Sequence, residues 1–300
     1  MLHAVSAYGS VTAAATALGY SAPAVSQQLA ALEREVGLPL TERAGRGIAL
    51  TPAATLLVAH TDALLIQLDS AEADLAALRD QVTGRVALAA FPSVAATVVA
   101  TAWAALAGAA PHVQLQLEEM EPEESLPAVL RGEADVAVAH EYDIFPRPLD
   151  PLFERRELLT DPVLLAVPDG FRADGQPVPD GAPVSLASLG DTPFLAPRAN
   201  TSCAEMIQRA CARAGFVPRV VARATERDVQ LNLVAAGAGV TLVPRLAARS
   251  LPRGVRLLPP AEPVTRKIFT VSRRGGDRQP AVRVVLDALF DAAGSLPDTP

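Results

Sequence analysis

Residues 9–52 read GSVTAAATALGYSAPAVSQQLAALEREVGLPLTERAGRGIALTP, and this stretch decides the architecture of the N-terminal part of the chain. It predicts two short helices around a tight turn, followed by a small hairpin. Ser10 can cap a helix from Val11 to Leu18, because its hydroxyl can accept a hydrogen bond from a first-turn amide. Gly19 can adopt the left-handed conformation that ends this helix, and Ser21 can cap the next one. Two helices separated by so short a turn are typical of a helix-turn-helix.

The second helix of this pair has two different faces at about 100° per residue. The apolar face, expected to pack on the core, carries Val25, Leu29, Leu32 and Val36. The opposite face is small and polar, with one long amide that suits adenine in a major groove. Two cations at the hairpin tip suit phosphates or a minor groove. The residues expected to contact DNA are Ser21, Pro23, Ser26, Gln27 and Ala30 on the helix, with Arg43 and Arg46 on the hairpin.

A specific pattern runs through the same stretch. Its members are Gly9-Ser10-Val11, Ala14-Ala15, Leu18, Pro23-Ala24-Val25-Ser26, Leu32-Glu33, Gly37-Leu38-Pro39-Leu40, Glu42-Arg43 and Leu50-Thr51-Pro52. This order is similar to that of LysR-type transcriptional regulators, and the resemblance extends over the whole chain. It implies a winged helix-turn-helix over residues 1–51. The chain departs from the family pattern at Ala22 (usually Gln), Gln27 (Arg), Thr41 (Phe) and Ala54 (Gly). The match also begins late, so we expect a first helix of about two turns or a truncated start.

Residues 52–83 form the next unit, predicted to be a single long helix that begins at Pro52. Apolar residues recur on one side of it with heptad spacing: Leu57, Leu64, Ala71 and Leu78, and Leu68, Leu75 and Val82 at the offset of four. A seam of this kind needs a partner helix. We expect a homodimer joined through this linker helix, assembling further into a homotetramer. The alternative is a helix packed on its own domain.

Residues 84–300 alternate between strand and helix patterns, which predicts a mostly parallel sheet covered on both faces. Crossings near residues 160 and 262 divide the pattern into lobe 1 (84–160 and 263–300) and lobe 2 (161–262). Such a pair of lobes resembles the type II periplasmic-binding-protein fold, which LysR regulators use to bind effectors. The predicted fold class is therefore α/β, with an N-terminal all-α winged helix-turn-helix, a linker helix and a two-lobed effector domain.

Ligands of two-lobed α/β folds bind at the carboxyl ends of strands and at helix N-termini. The residues at such positions are Phe91, Ser93, Glu121, His140, Tyr142, Thr201, Ser202 and Glu226. We expect them to contact a small-molecule effector between the lobes. For the three hydroxyl residues, simple helix capping is an equal alternative. Because several carboxylates lie on this rim, an amine-bearing effector is also a hypothesis.

Composition excludes several classes of protein. Three hundred residues allow two domains, each large enough to bury a core. Cys203 and Cys211 lie eight positions apart on one predicted helix, too far for a disulfide, and so few cysteines favour a reducing compartment. The sequence offers neither about 20 uninterrupted apolar residues nor the pattern of a signal peptide. We therefore expect a cytoplasmic protein. The net charge of −7 predicts a weak electrostatic contribution to DNA affinity.

The sequence favours regulation over catalysis. Four scattered histidines show no metal-ligand spacing, no serine lies in a nucleophile elbow, and no cofactor is expected. A transcriptional regulator that is modulated by an effector is the best interpretation. The alternative is a cytoplasmic α/β enzyme or binding module whose N-terminal helices serve only oligomerisation.

Overall fold

The N-terminal unit packs a short helical bundle beside a small hairpin. The computed structural model describes residues 1–44, 47–77 and 81–296. The elements of the unit are α1 (Leu2–Tyr8), α2 (Val11–Leu18), α3 (Ala22–Val36), β1 (Thr41–Ala44) and β2 (Gly47–Leu50). The core between them includes Leu2, Val5, Val25, Leu29 and Leu40. The first helix is thus about two turns long in this chain.

The turns and caps of this unit form as predicted. The Ser10 hydroxyl accepts from the Ala13 amide at 3.1 Å, and the Ser21 hydroxyl accepts from the Ala24 amide at 3.3 Å. Gly19 ends α2 with a φ of 70°. Val36 was expected in the core and is instead 41% exposed, because it lies in the last turn of α3, where the core no longer covers the helix.

The linker helix, α4, runs from Pro52 to Ala77 and exposes most of the predicted seam. Leu64, Leu68 and Leu75 are 66%, 62% and 67% exposed. The two ends of the seam differ, because Leu57 packs against the core of the N-terminal unit and Val82 against that of the effector domain. Leu78 lies outside the described residues.

Lobe 1 is built around three parallel strands. They are β3 (Gly84–Ala90), β4 (Val113–Glu119) and β5 (Val136–Tyr142). A continuous helical segment follows β3, made of α5 (Pro92–Val94), a π-helical turn (Ala95–Val99) and α6 (Ala100–Ala109). Helix α7 (Pro122–Arg131) connects β4 to β5. Buried valines and alanines of these elements pack against a C-terminal helix to form the core of the lobe.

A single long strand, β6 (Phe153–Pro168), carries the chain from lobe 1 into lobe 2. The other elements of lobe 2 are β7 (Arg172–Ala173), β8 (Gln176–Pro177), β9 (Pro193–Ala196), α8 (Ser202–Arg213), β10 (Arg219–Arg223), α9 (Arg227–Ala235), β11 (Thr241–Pro244) and β12 (Val255–Leu258). Strand β13 (Thr265–Arg273) and helix α10 (Pro280–Gly294) return to lobe 1. The main sheet has the order β11-β6-β13-β5-β3-β4, with β12 also paired to β6.

Strand β6 is continuous through Pro162, where its partner changes from β13 to β11 and β12. One prediction about this sheet was wrong. The sheet is mixed and not mostly parallel, because β13 is antiparallel to both β5 and β6. Strand β13 brings the chain back from lobe 2 to lobe 1 and therefore enters the sheet antiparallel to its neighbours. The alternation of strands and helices in the sequence does not reveal this direction.

One described helical segment, Pro92–Ala109, is long and apolar enough to cross a membrane, with a mean hydropathy of 1.4. The apolar side chains of this segment instead pack inside the effector domain. Val94, Val98, Val99, Ala102 and Leu106 are buried in the core of lobe 1. Composition alone therefore gives weak evidence for a membrane span at this segment.

Candidate DNA-binding surface and effector cleft

Helix α3 presents a continuous polar face to solvent. Ser21, Pro23, Ser26, Gln27 and Ala30 are all exposed. The opposite side is held by side chains such as Val25 and Leu29, which are 0% and 4% exposed. An exposed face of small side chains allows a helix to approach base edges closely. The structure therefore brings the predicted helical contact residues together on one surface.

The hairpin beside α3 is fastened by a carboxylate. Glu33 of α3 accepts hydrogen bonds from the Leu40 amide at 2.8 Å, the Thr41 amide at 3.0 Å and the Thr41 hydroxyl at 3.2 Å. The two backbone hydrogen bonds hold the pKa of Glu33 below its ordinary value. Thr41 thus makes polar contacts with Glu33 at a position where the family pattern usually has the apolar residue Phe. Arg43 is exposed on β1, and Arg46 lies outside the described residues.

Four of the predicted effector residues lie close together where the cores of the two lobes meet. The ring centroids of Phe91 and His140 are 4.7 Å apart, and those of His140 and Tyr142 are 5.4 Å apart. Ser93 does not cap a helix, because Phe91 occupies the cap position; its hydroxyl accepts from Arg266 at 3.0 Å. The π-helical turn begins two residues after Ser93, and such turns are frequent at functional sites.

Arg266 and Asp161 form a buried ion pair beside Ser93 and Phe91. The Arg266 guanidinium donates two hydrogen bonds to Asp161, at 2.6 and 3.1 Å, and both side chains are at most 3% exposed. The second oxygen of Asp161 accepts from the Leu246 amide in lobe 2 at 3.1 Å. The ion pair therefore connects Ser93 of lobe 1, strand β6 and Leu246 of lobe 2. Sequence reasoning missed it because residues 105 positions apart gave no sign of pairing.

His140 is fully buried and has no hydrogen-bond partner on either ring nitrogen within the described residues. The Glu121 carboxylate lies 3.5 Å from its Nε2 atom, which is too long for a hydrogen bond. Burial lowers the pKa of His140, so the imidazole is neutral near pH 7. A buried polar group without a partner is costly unless a ligand or water completes it.

On the lobe 2 side, Ser202 and Thr201 have different roles. The Ser202 hydroxyl donates to the Glu123 carboxylate of lobe 1, and Arg147 binds both groups, at 2.6 Å from Glu123 and 3.0 Å from Ser202. Thr201 instead caps α8, since its hydroxyl accepts from Ala204 at 3.2 Å and donates to the carbonyl of Arg198. Capping, the alternative left open from the sequence, is thus the role of Thr201 in this structure.

Several carboxylates around the cleft are already paired with cations. Arg155 binds Glu141 at 2.7 Å, as Arg147 binds Glu123. Burial raises the pKa of each glutamate, but hydrogen bonds outweigh it and hold both pKa values below the ordinary range. Glu123 and Glu141 are therefore less available to an amine-bearing effector. The predicted contact residue Glu226 is exposed at the start of α9.

The start of α9 also brings a cation toward the cleft. Arg227 donates to the Gln230 side chain at 2.8 Å, while its Nε–H is buried without a hydrogen-bond partner among the described residues. Burial raises the pKa of Tyr142 well above its ordinary value, and the nearby Arg227 charge opposes that effect. The Tyr142 hydroxyl is 3.1 Å from the Cys203 sulfur. Cys211 is buried, which raises the pKa of its thiol to about 12.

Comparison with known proteins gives these surfaces a context. The family description "LysR substrate binding domain" matches residues 79–294, and "Bacterial regulatory helix-turn-helix protein, lysR family" matches residues 1–55. The chain belongs to the LysR family of transcriptional regulators. A similar LysR-family relative is the HTH-type transcriptional regulator IlvR of Caulobacter vibrioides, 29% identical over 290 residues and covering 95% of this chain and 93% of its own.

Two further proteins resemble this LysR chain. A probable hydrogen peroxide-inducible genes activator from Streptomyces viridosporus is 30% identical over 289 residues, covering 95% of this chain and 89% of its own. A full-length OxyR variant from Pseudomonas aeruginosa has the same fold, with a TM-score of 0.67 at 19% identity over 100% of this chain and 96% of its own. The LysR chain is thus a DNA-binding transcriptional regulator with an effector-binding domain, and the enzyme alternative is wrong.

Proposed function

We propose that this regulator reads its operator through the exposed face of α3 and holds the adjoining phosphates with the hairpin. The observation that carries this is the combination of exposed Ser26, Gln27 and Ala30 with a fully buried Val25 on the opposite side of the same helix. Gln27 is the residue with the reach and the donor-acceptor pair to select a base. Arg43 and Arg46 supply sequence-independent contacts.

We also propose a homodimer formed through α4, assembling further into a homotetramer. Leu64, Leu68 and Leu75 follow each other at four and seven residues and are all more than 60% exposed. A row of exposed leucines on a helix of 26 residues is suited to burial against a second copy of the same helix. Because a transcriptional regulator acts on DNA inside the cell, we also propose a cytoplasmic location.

The effector is proposed to bind between the lobes, in contact with Phe91, Ser93, His140, Tyr142 and Ser202. The donors that lack an acceptor indicate its chemistry. Arg227 Nε–H and the His140 imidazole are buried without hydrogen-bond partners in the described part of the chain. An effector that presents a carboxylate or a comparable acceptor group satisfies the Arg227 Nε–H and the single N–H of the neutral imidazole, while Glu123 and Glu141 are already paired with arginines.

The test is a gel shift with the DNA upstream of the protein's own gene. The parent protein is expected to retard this fragment at concentrations that leave a shuffled fragment of the same composition free. Equal retardation of both fragments would contradict a sequence-reading role for α3. The cleft is tested by thermal shift against small carboxylates and their matching amides, where we expect only carboxylates to raise the melting temperature.

A further inference from the structure

The N-terminal unit and lobe 1 touch through a small polar contact. The Tyr8 hydroxyl at the end of α1 donates to the Glu133 carboxylate at 2.5 Å. Arg131 donates two hydrogen bonds to the other oxygen of Glu133, at 2.6 and 2.9 Å, and its guanidinium carbon lies 5.1 Å from the centre of the Tyr8 ring. These three side chains, the Tyr8 contact, connect the DNA-binding unit directly to the effector domain.

The polar Tyr8 contact is distinct from the hydrophobic cores of the N-terminal unit and lobe 1. A cavity of about 290 Å³ lies between α1, α4 and lobe 1, with His3, Ile66, Leu130 and Arg273 among its lining residues. The two units are therefore not joined there by continuous apolar packing. An interface held by a few exposed polar bonds opens at a small free-energy cost. It can thus exist in a closed and an open form.

The Tyr8 contact is also linked to the recognition helix. Tyr8 packs against the core of the N-terminal unit, and Leu2 and Val5 of the same helix lie in that core with Val25 and Leu29 of α3. A packed core of this kind moves as a unit. Fixing Tyr8 against lobe 1 therefore fixes the direction in which α3 faces.

Helix α7 connects this contact to the effector cleft. Arg131 is its last residue, and Glu123, in its first turn, binds Ser202 of lobe 2. Ten residues span about 15 Å at 1.5 Å per residue. Leu126 and Val129 are buried against the sheet, so the helix is seated firmly on lobe 1. A single helix thus has one end at the lobe-to-lobe contact and the other end at the DNA-binding unit.

We propose that Tyr8, Arg131 and Glu133 are positioning residues for DNA binding, and that α7 transmits the state of the Glu123–Ser202 contact to them. The proposal rests on the proposed function of the cleft. When the separation of the lobes changes, the Glu123–Ser202 contact shortens or breaks, and the Glu123 end of α7 shifts with it. The opposite end of α7 then presents Arg131 and Glu133 to Tyr8 in a different position. Orientation of the recognition helix then depends on the cleft without any contact between effector and DNA-binding unit.

The first arm of the test measures amide hydrogen exchange over residues 2–8 in the full chain. The variants are Tyr8→Phe, Glu123→Gln and the double variant, with Glu133→Gln as a second way to break the Tyr8 contact. Each single change is expected to speed exchange by about 2- to 10-fold, the value of one hydrogen bond. The double variant should exchange no faster than Tyr8→Phe alone. The matched control is Glu124→Gln, an exposed neighbour of Glu123 in the same turn, which should leave exchange unchanged.

The second arm measures affinity for the fragment upstream of the protein's own gene. We expect Tyr8→Phe and Glu123→Gln to change it in the same direction and non-additively. Additive effects in the exchange experiment, or no effect of Glu123→Gln on residues 2–8, would overturn transmission through α7. Faster exchange at α1 with unchanged DNA affinity in both Tyr8→Phe and Glu133→Gln would overturn the positioning role. The exchange arm does not involve DNA, so a failure of the proposed DNA interface is distinguishable from a failure of this proposal.

Discussion

At the residue scale, Gln27 is the side chain that we expect to select a base. Replacing Gln27 with Ala should reduce discrimination between operator and altered sites by about 1–3 kcal/mol, because a bidentate contact with adenine is lost. The fold should not change, since the side chain is exposed. Competition binding with single-base operator variants measures this. Gln208→Ala, at an exposed glutamine on α8, is the control, and equal selectivity of the two variants would refute the assignment.

The buried Arg266–Asp161 pair gives a prediction about stability. Arg266→Met should lower the free energy of unfolding by about 3–5 kcal/mol, because Asp161 is left buried without its counter-charge. Urea denaturation followed by circular dichroism measures the loss. A double variant, Arg266→Met with Asp161→Leu, removes both charges and should recover much of it. If the double variant is less stable than the single one, the unpaired charge is not the cause.

His140 gives a pH dependence with a definite sign. Burial lowers its pKa in the folded protein, so below about pH 6.5 the unfolded chain binds a proton that the native state refuses. Its contribution to stability is thus present above that pH and falls as pH decreases, by up to about 1.4 kcal/mol per pH unit. Denaturation at pH 7.5 and 5.5 should show a smaller loss for His140→Gln than for the parent. His112→Gln, at an exposed histidine, should behave like the parent, and equal losses in all three proteins would contradict the prediction.

The candidate site could be predicted from the sequence only where it depends on positions close together in the chain. Ser93 lies just beyond the end of β3 and His140 lies near the end of β5, and their proximity was accessible from those positions. Arg266 and Asp161 were not accessible, because a buried ion pair between distant strands depends on strand order. Thr201 and Ser202 are adjacent and chemically alike, and only the side-chain directions of the folded helix separate a cap from a lobe-to-lobe contact.

At the element scale, α4 carries the prediction about assembly. Replacing Leu64 and Leu75 with Glu should produce smaller species in sedimentation, because the change buries like charges in the proposed seam. Helicity measured by circular dichroism should remain near that of the parent, since both leucines are about two-thirds exposed in the single chain. Val217→Glu, at an 87% exposed position in lobe 2, is the control. An intact oligomer in the Leu variant would exclude α4 as the contact.

Individual helices and strands were largely predictable, and their pairing was not. Helix α2 spans the predicted residues Val11–Leu18, and the caps of α2 and α3 form at Ser10 and Ser21. These features depend on residues within one turn or one strand. The antiparallel insertion of β13 depends on where the chain returns from lobe 2. Local periodicity contains no information about that return.

At the scale of the whole molecule, the charge distribution predicts a weak salt dependence of DNA binding. Residues 1–50 hold three arginines and three glutamates, a net charge of zero. If Arg43 and Arg46 of two protomers each neutralise one phosphate, the slope of log affinity against log salt is about −4. Arg43→Ala should reduce the magnitude of this slope by about 2 in a dimer, and it should weaken binding to all DNA sequences alike. A slope twice as steep in the parent would indicate further cationic contacts.

The continuous strand β6 has a mechanical consequence. Lobe 1 pairs with its residues up to Pro162, and lobe 2 pairs with it from Val163 onward. The proline ring fixes one of the two backbone dihedrals at that junction. The lobes are therefore joined by a stiff ribbon that permits twisting of small amplitude. A small rotation can still move the DNA-binding unit appreciably, because it is amplified along the length of α4. Helix α4, with 26 residues, is about 39 Å long, so a tilt of about 5° at one end displaces the other by about 3 Å, close to the rise of one base pair.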